Sequence, residues 1–279
     1  MPELPEVETV RRGIAPVLEG AKFIKVTARR KSLRIPIPEN FSSALTGKKI
    51  LSVGRRSKYI LMHIEDGPVV ILHLGMSGKV TLYSLDKDSV PELGKHDHLI
   101  FDIDNGMRMV YTDPRRFGLV TFADPDILET HPLLASMGPE PLSNSFHADY
   151  LREKLANRKS PIKNVLLDQK IIAGLGNIYV CEALFRAHIN PERLAITLSE
   201  KNIETLVPII NDIIREAIAS GGSTLKDYAQ VDGELGYFQH SFQAYGREGK
   251  SCLNQGCSDT IVRITQSGRS TFYCKSCQI

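Results

Sequence analysis

Residues 252–277, CLNQGCSDTIVRITQSGRSTFYCKSC, contain four of the five cysteines in the chain. Their spacing is C-x4-C, then sixteen residues, then C-x2-C. Two short turns of this kind can supply the four thiolates of a tetrahedral zinc site, so one structural Zn²⁺ is predicted here. Strand-like runs on either side of Ser267-Gly268 indicate a β-hairpin zinc ribbon. The predicted ligands are Cys252, Cys257, Cys274 and Cys277.

Upstream of the cysteines, apolar residues recur with helical spacing over residues 150–155, 162–167, 178–187 and 206–219. The stretch GLGNIY could be mistaken for a dinucleotide-binding fingerprint, but no strand precedes it and a third glycine is missing. No nucleotide cofactor is therefore predicted. Cys181 stands alone on its helix and is expected to be a small buried residue.

Residues 22–122 have a different pattern, with eight short β-rich runs and turn pairs such as Asp66-Gly67 and Asn105-Gly106. So many strands in this length predict a sandwich or a barrel. Before them, apolar side chains recur every three or four positions over residues 4–18, which indicates a helix. A proline-containing stretch, residues 132–141, is typical of a join between domains.

The composition is that of a folded protein with an uneven charge distribution. The chain has 279 residues, a net charge of +3, 42% hydrophobic and 24% charged residues, which argues against disorder and suggests about two domains. There is no apolar run long enough for a membrane span and no signal-peptide layout, so a cytoplasmic location is expected. Residues 11–60 carry 13 basic and two acidic side chains. This excess suggests a polyanionic partner, the alternative being a solvated face with none.

The N-terminus can supply a reactive amine. Removal of the initiator Met1 would leave Pro2 with a free secondary amine, which can attack an aldehyde-like carbon to form an iminium ion. Glu3 follows directly and could transfer a proton to a leaving oxygen. Met-Pro alone is weak evidence, because most such N-termini are unremarkable.

Ten motifs, in order along nearly the whole chain, resemble the formamidopyrimidine-DNA glycosylase family. They are MPELPEVETVRRG, RRSKYI, HLGMSG, KHDH, TDPRRFG, MGPEPL, IKNVLLDQ, GLGNIYVCEALF, GGSTLKDY and GRSTFYCKSCQ. The resemblance implies a monomeric enzyme of base excision repair that acts on damaged double-stranded DNA, with nucleoid association while it is bound. Such enzymes excise oxidised purines such as 8-oxoguanine and formamidopyrimidines, then cleave the abasic strand by β,δ-elimination.

The resemblance also implies an α+β fold in four parts. An N-terminal helix with a two-layer antiparallel β-sandwich is expected over residues 1–132, followed by a linker over 133–149. A helix-two-turn-helix DNA-binding domain is expected over 150–243, and the zinc ribbon over 244–279. The family commonly has C-x2-C in the first cysteine pair, and this chain departs from it with C-x4-C.

Catalytic roles follow from the same resemblance. Pro2 corresponds to the nucleophile that attacks C1′, and Glu3 to the acid/base at the sugar ring oxygen. Lys58 in RRSKYI corresponds to a phosphate contact associated with β-elimination, and Arg269 on the zinc hairpin to one associated with δ-elimination. Simple phosphate contact without catalysis is the alternative for Lys58 and Arg269.

The remaining predicted residues would bind DNA. Met76, Arg115 and Phe117 correspond to the side chains that fill the space left by the extruded base. The loop GGSTLKDY, residues 221–228, would cover the extruded purine. Contacts to the DNA backbone are expected from His96, Arg158, Lys163 and Asn177.

Three alternative functions are compatible with parts of this sequence. The sister family, endonuclease VIII, shares these modules but prefers oxidised pyrimidines, and Leu4 together with the full DPRRF motif favours the purine enzyme. A catalytically silent DNA-binding protein would not need the intact set Pro2, Glu3 and Lys58. An RNA-binding structural protein would prefer ligands that contain ribose.

Overall fold

The structure is a computed structural model that describes residues 2–86, 91–223 and 236–279. The chain forms two compact units. The first comprises Met1–Ala135 and Ser220–Tyr237, and the second Ser136–Ala219 and Phe238–Ile279. The four-part division expected from the sequence stays a prediction. Among the described residues, no helix combines the length and apolar character required to cross a membrane.

The first unit begins with helix α1, Leu4–Leu18, as predicted. Glu3 precedes the helix as its N-cap and forms a capping box with Glu6, in which each side chain accepts a hydrogen bond from the other residue's backbone. Pro5 lies in the first turn, where its missing N–H costs no helical hydrogen bond. The apolar stripe of the helix is buried, which explains the spacing seen in the sequence.

Eight strands follow, one for each predicted run, and they form two antiparallel four-stranded sheets. One sheet has the strand order β1 (Phe23–Ala28), β6 (Asp97–Ile103), β7 (Met107–Thr112) and β5 (Lys79–Ser84). The other has the order β2 (Ile50–Arg56), β3 (Tyr59–Ile64), β4 (Val69–His73) and β8 (Leu119–Ala123). Apolar residues from both sheets and from α1 form one continuous core, which is the arrangement of a β-sandwich. A short helix, α2, covers Phe41–Leu45.

The second unit is helical and ends in a hairpin. Its helices are α3 Ala148–Leu155, α4 Ile162–Leu166, α5 Asn177–Arg186 and α6 Glu200–Ala219. The hairpin pairs β9, Ile261–Gln266, with β10, Arg269–Cys274. Short 3₁₀ turns lie at Pro125–Thr130 in the first unit and at Ala195–Thr197 and Phe238–Ser241 in the second. The predicted α+β class, β-sandwich, helical region and C-terminal hairpin are confirmed.

The hairpin packs on helix α5. Phe185 from this helix joins a buried cluster with Ala244, Ile261 and Phe272. Next to it, the fully buried Glu182 accepts hydrogen bonds from the backbone nitrogens of residues 243–245 at 2.7–2.9 Å. Burial raises the pKa of Glu182, and these three N–H donors act against that rise. Helix α5 is therefore joined to the hairpin module by both apolar and polar contacts.

Candidate active site and nucleic-acid interface

The N-terminal residues Pro2 and Glu3 are both buried in the first unit. Glu6 fixes their backbone, because its Oε2 atom accepts a hydrogen bond of 2.8 Å from the Glu3 nitrogen. The other oxygen, Oε1, accepts from the backbone nitrogen and the hydroxyl of Ser223 at 2.8 and 2.9 Å. A single buried carboxylate thus joins the chain start to residue 223 of the same unit.

Lys58 lies in the tight turn between β2 and β3 and is buried, with 6% of its surface exposed. The residue before it, Ser57, has a positive φ of 55°. The Ser57 carbonyl accepts a hydrogen bond from Arg55, whose guanidinium also pairs with Glu8 on α1 at 3.0 Å. The turn that carries Lys58 is therefore connected to the N-terminal helix by a partly buried ion pair.

Glu8 is the centre of that connection. Its carboxylate also accepts hydrogen bonds from Arg11 and Arg12, three and four positions further along the same face of the helix. Burial would raise the pKa of Glu8, but the hydrogen bonds from Arg11, Arg12 and Arg55 outweigh it and lower the pKa to about 2. Part of the basic excess in residues 11–60 therefore neutralises an internal carboxylate.

His73 is a residue that the sequence reasoning missed. Its ring contacts Tyr59 at a centroid distance of 4.9 Å, and Nδ1 accepts a hydrogen bond from the Gly75 nitrogen. Burial, followed by the positive charges of Lys58 and Arg34, lowers the pKa of His73 to about 4. The imidazole is therefore neutral at physiological pH, with its proton on Nε2. The neutral ring is thus a hydrogen-bond donor close enough to Lys58 for that charge to affect its pKa. The sequence feature that could have indicated His73 is its place as the first residue of the HLGMSG motif.

Two loops of the first unit present the side chains predicted to fill the DNA stack. Met76 and Phe117 are 38% and 45% exposed, unusual for large apolar residues. Arg115 is also exposed, and its guanidinium lies 4.7 Å from the centre of the Phe117 ring. The structure thus places all three side chains at the surface, as an inserted group requires.

The backbones of these two loops touch. A Cβ atom added at Gly75, which has a φ of +67°, would lie 2.3 Å from the Gly118 nitrogen. A Cβ atom at Gly118 would lie 1.8 Å from the Tyr111 hydroxyl. Glycine is therefore required at both positions, because a side chain at Gly75 would push the two loops apart and one at Gly118 would clash with Tyr111 and the His73 carbonyl.

The residues predicted to contact the DNA backbone are placed differently from one another. Arg158 is exposed just after α3, and His96 is half-buried just before β6. Asn177 begins α5 and donates through Nδ2 to the carbonyl of Ser270 at 2.8 Å, so its amide is already used within the second unit.

The structure corrects the prediction for Lys163. The sequence predicts a phosphate contact, but the side chain is fully buried. Its Nζ donates to Thr271 Oγ1 at 2.6 Å and to the Ser270 carbonyl at 3.2 Å. Burial, with the nearby charge of Arg269, lowers its pKa. The lysine is buried in the second unit and holds strand β10 instead of facing a phosphate.

Arg269 is exposed at the start of β10, directly after the hairpin tip. Ser267 and Gly268 form this tip with positive φ values of 49° and 75°. Lys163 and Asn177 both donate a hydrogen bond to the carbonyl of Ser270, the next residue along. Two polar side chains from the helical part of the unit therefore hold the strand immediately beside Arg269.

The four predicted cysteine ligands converge in spite of the C-x4-C spacing. Their Sγ atoms all lie within 4.8 Å of one another. Two of the separations are 3.8 Å, for Cys252 and Cys277, and 3.7 Å, for Cys257 and Cys274. These are too long for a disulfide, whose sulfur atoms lie about 2.05 Å apart. The cluster could hold a metal ion. Cys181 is buried, as predicted.

The loop at residues 221–228 is described only in part. Gly221, Gly222 and Ser223 are described, and the remaining positions lie outside the described residues. The role of the loop in covering a purine stays a prediction.

Comparison with known proteins identifies both halves of this architecture. Residues 1–120 match the family model of the formamidopyrimidine-DNA glycosylase N-terminal domain, and residues 137–229 match that of the formamidopyrimidine-DNA glycosylase H2TH domain. The chain is 52% identical over 283 residues to the formamidopyrimidine-DNA glycosylase of Dinoroseobacter shibae, with all of both chains covered. It is likewise 52% identical, over the full length of both chains, to the enzyme of the same name from a Ruegeria species.

Solved structures agree with these relatives. Lactococcus lactis Fpg in complex with DNA that contains an abasic site superimposes with a TM-score of 0.89, at 38% identity over 99% of each chain. MutM in complex with DNA containing carbocyclic 8-oxo-G gives the same TM-score, identity and coverage. Sequence, family models and architecture lead to one conclusion: the chain belongs to the formamidopyrimidine-DNA glycosylase family.

Proposed function

We propose that this chain removes oxidised purines from double-stranded DNA and then cleaves the strand at the resulting abasic site. It is a DNA glycosylase of base excision repair, as its family membership establishes. The observation that carries the finer proposal is the pair Pro2 and Glu3, buried together at the start of α1 in a chain of this family. Lyase activity is typical of the family.

The chemistry is proposed to begin at the Pro2 nitrogen after removal of Met1. The amine attacks C1′ of the damaged nucleotide, the glycosidic bond breaks, and the base departs with the bonding electrons and a proton. Glu3 is suited to protonate the sugar ring oxygen as the ring opens, since it is adjacent to the nucleophile and its backbone is fixed by Glu6. The product is an iminium ion between Pro2 and C1′.

The iminium ion then promotes elimination. Its positive charge stabilises the electrons left when a proton leaves C2′, so the C3′–O bond breaks and the 3′ phosphate departs in β-elimination. Loss of a second proton, from C4′, then breaks the C5′–O bond and releases the 5′ phosphate in δ-elimination. Lys58 and Arg269 are proposed to hold the phosphates that leave in these steps. His73 lies close enough to Lys58 for that charge to lower its pKa, and the neutral imidazole is proposed to donate a hydrogen bond to the same phosphates.

Base extrusion is assigned to the two touching loops of the first unit. Met76 and Phe117 would replace the stacking lost by the neighbouring bases, and Arg115 would bond the orphaned partner base. Arg158, His96 and the N-terminal end of α5 at Asn177 are proposed to contact the DNA backbone.

The cysteine cluster is proposed to hold one structural zinc ion. Zinc–sulfur bonds of about 2.3 Å in a tetrahedron place sulfur atoms about 3.8 Å apart. The Sγ separations of 3.8 and 3.7 Å match this spacing. When bound, the ion cross-links the two ends of the hairpin module, and it takes no part in the chemistry.

Substrate choice tests the proposal against its nearest alternatives. The chain should excise 8-oxoguanine opposite cytosine faster than thymine glycol from otherwise identical duplexes. The reverse preference would place it with enzymes for oxidised pyrimidines, and binding without excision of either base would indicate a silent DNA-binding protein.

A further inference from the structure

We propose that Asp113 is a positioning residue that joins the loops of Met76 and Phe117 into one rigid element for base extrusion. The inference rests on the proposed function of these two side chains. Asp113 itself is not proposed to touch the DNA or the reacting atoms. It acts through the loops that present them.

The carboxylate of Asp113 is completely buried and bonds to both loops. Its Oδ1 atom accepts a hydrogen bond of 2.7 Å from the hydroxyl of Ser77, the residue after Met76. Its Oδ2 atom accepts from the backbone nitrogen of Gly118, the residue after Phe117, at 2.8 Å. One side chain therefore fixes the position directly following each inserted residue.

Two hydroxyl groups complete the link. Ser77 Oγ accepts a hydrogen bond of 3.2 Å from the Arg115 nitrogen, so it bridges the two loops itself. The Tyr111 hydroxyl donates to Asp113 Oδ2 at 3.1 Å and lies against both Gly78 and Gly118. Asp113, Ser77 and Tyr111 thus enclose the point where the loop backbones touch.

The backbone of Asp113 attaches this link to the β-sandwich. Its nitrogen donates to the His96 carbonyl at 3.0 Å, and its carbonyl accepts from His98 Nε2 at 2.9 Å. His98 is buried on β6. The two loops are therefore held to each other and also to a central strand of one sheet.

Rigidity matters because insertion works against base stacking. Unstacking a base step costs a few kcal/mol. If the loops were displaced during insertion, the neighbouring bases would stack on each other again. A loop held by several bonds to one buried group resists such displacement. An abasic site has no base to extrude, so the inserted side chains are needed less once the base is gone.

The test compares two reactions in two backgrounds. Ser77→Ala removes the hydroxyl that bonds Asp113 and Arg115, and Asp113→Asn alters the carboxylate itself. Single-turnover rates are measured for excision of 8-oxoguanine opposite cytosine and for strand cleavage at a preformed abasic site. Each change is also made in a background carrying Met76→Ala and Phe117→Ala. Ser43→Ala is the matched control, because its hydroxyl is exposed and bonds within its own turn, to the Asn40 carbonyl.

Ser77→Ala is expected to slow excision by on the order of 10- to 100-fold, since small misplacements have effects of this size. The same change should alter the rate of abasic-site cleavage by less than about twofold. In the background that carries Met76→Ala and Phe117→Ala, adding Ser77→Ala should not slow excision any further. When the Ser77→Ala variant binds, the fluorescence of a 2-aminopurine placed beside the lesion in the DNA should rise less than when the unmodified enzyme binds.

Equal slowing of both reactions, or the same loss in both backgrounds, would mean general damage and overturn the inference. Normal excision by Ser77→Ala would overturn it as well. If the Met76/Phe117 background itself excises at the normal rate, the proposed function of these side chains fails instead, so the two failures are distinguishable.

Discussion

Oε1 of Glu6 accepts hydrogen bonds from both the backbone nitrogen and the hydroxyl of Ser223, at 2.8 and 2.9 Å. The other oxygen of the same carboxylate accepts from the nitrogen of Glu3. Residues 217 positions apart in the sequence are thereby joined next to the proposed nucleophile. The proposed catalytic terminus is consequently held by a distant part of the first unit as well as by its own helix.

Glu6→Gln should destabilise this arrangement. The amide has one acceptor instead of two, so either Glu3 or Ser223 is left with a buried N–H facing a donor. We expect the free energy of unfolding to fall by about 1–3 kcal/mol. Urea denaturation measures it. Ser223→Ala keeps its backbone N–H, so its free energy of unfolding should fall by only about 1 kcal/mol. A fall equal to or larger than that of Glu6→Gln would contradict the assigned geometry.

Glu8 should make stability depend on acid pH. Its pKa is about 2 in the folded chain and 4.5 ordinarily, so its contribution is complete above about pH 4.5 and is lost as the pH falls toward 2. Denaturation of the unmodified chain and of Glu8→Gln should therefore give free energies that differ at neutral pH and converge on acidification. A difference independent of pH would show that Glu8 is not stabilised as a charged group.

Lys163 and Arg158 should differ in their effect on DNA binding. Arg158 is exposed, so Arg158→Ala should reduce the slope of log K against log salt by about 0.9, the value for one phosphate contact. Lys163 is buried against strand β10, so Lys163→Met should leave this slope unchanged. A similar reduction of the slope for Lys163→Met would contradict this buried role and support the direct phosphate contact predicted from the sequence.

The cysteine cluster should bind one zinc ion per chain. Elemental analysis of the purified protein should find it, and Cys277→Ser should lower zinc affinity and weaken DNA binding, because the hairpin that carries Arg269 loses a cross-link. Cys181→Ser is the matched control and should keep its zinc, since this cysteine lies outside the cluster. Full zinc content in Cys277→Ser would refute the ligand assignment.

Much of the fold could be predicted because apolar periodicity reports burial directly. Helix α1 begins and ends at the predicted residues, and each of the eight strands follows from its own run of sequence. The cysteines converge because zinc-type spacing constrains the chain within a short distance. These are local patterns, and local patterns are what a single sequence records best.

The candidate site was harder to predict from the sequence for the same reason. Sequence shows that Lys163 is charged but not that Thr271, 108 residues later, accepts its hydrogen bond inside the second unit. From the sequence, Asp113 is an ordinary acidic residue of a loop, and its hydrogen bond with Ser77 is evident only in the folded structure. Motifs indicated where these residues belong, yet their individual roles depend on long-range contacts that only the structure supplies.

The central claim is that the Pro2 nitrogen forms the covalent bond to DNA. Borohydride reduction during turnover of abasic DNA, followed by intact-mass and peptide mapping, tests it most directly. We expect a single adduct on Pro2 in a chain that lacks Met1. An adduct on a lysine, or active enzyme that still carries Met1, would contradict the proposed mechanism.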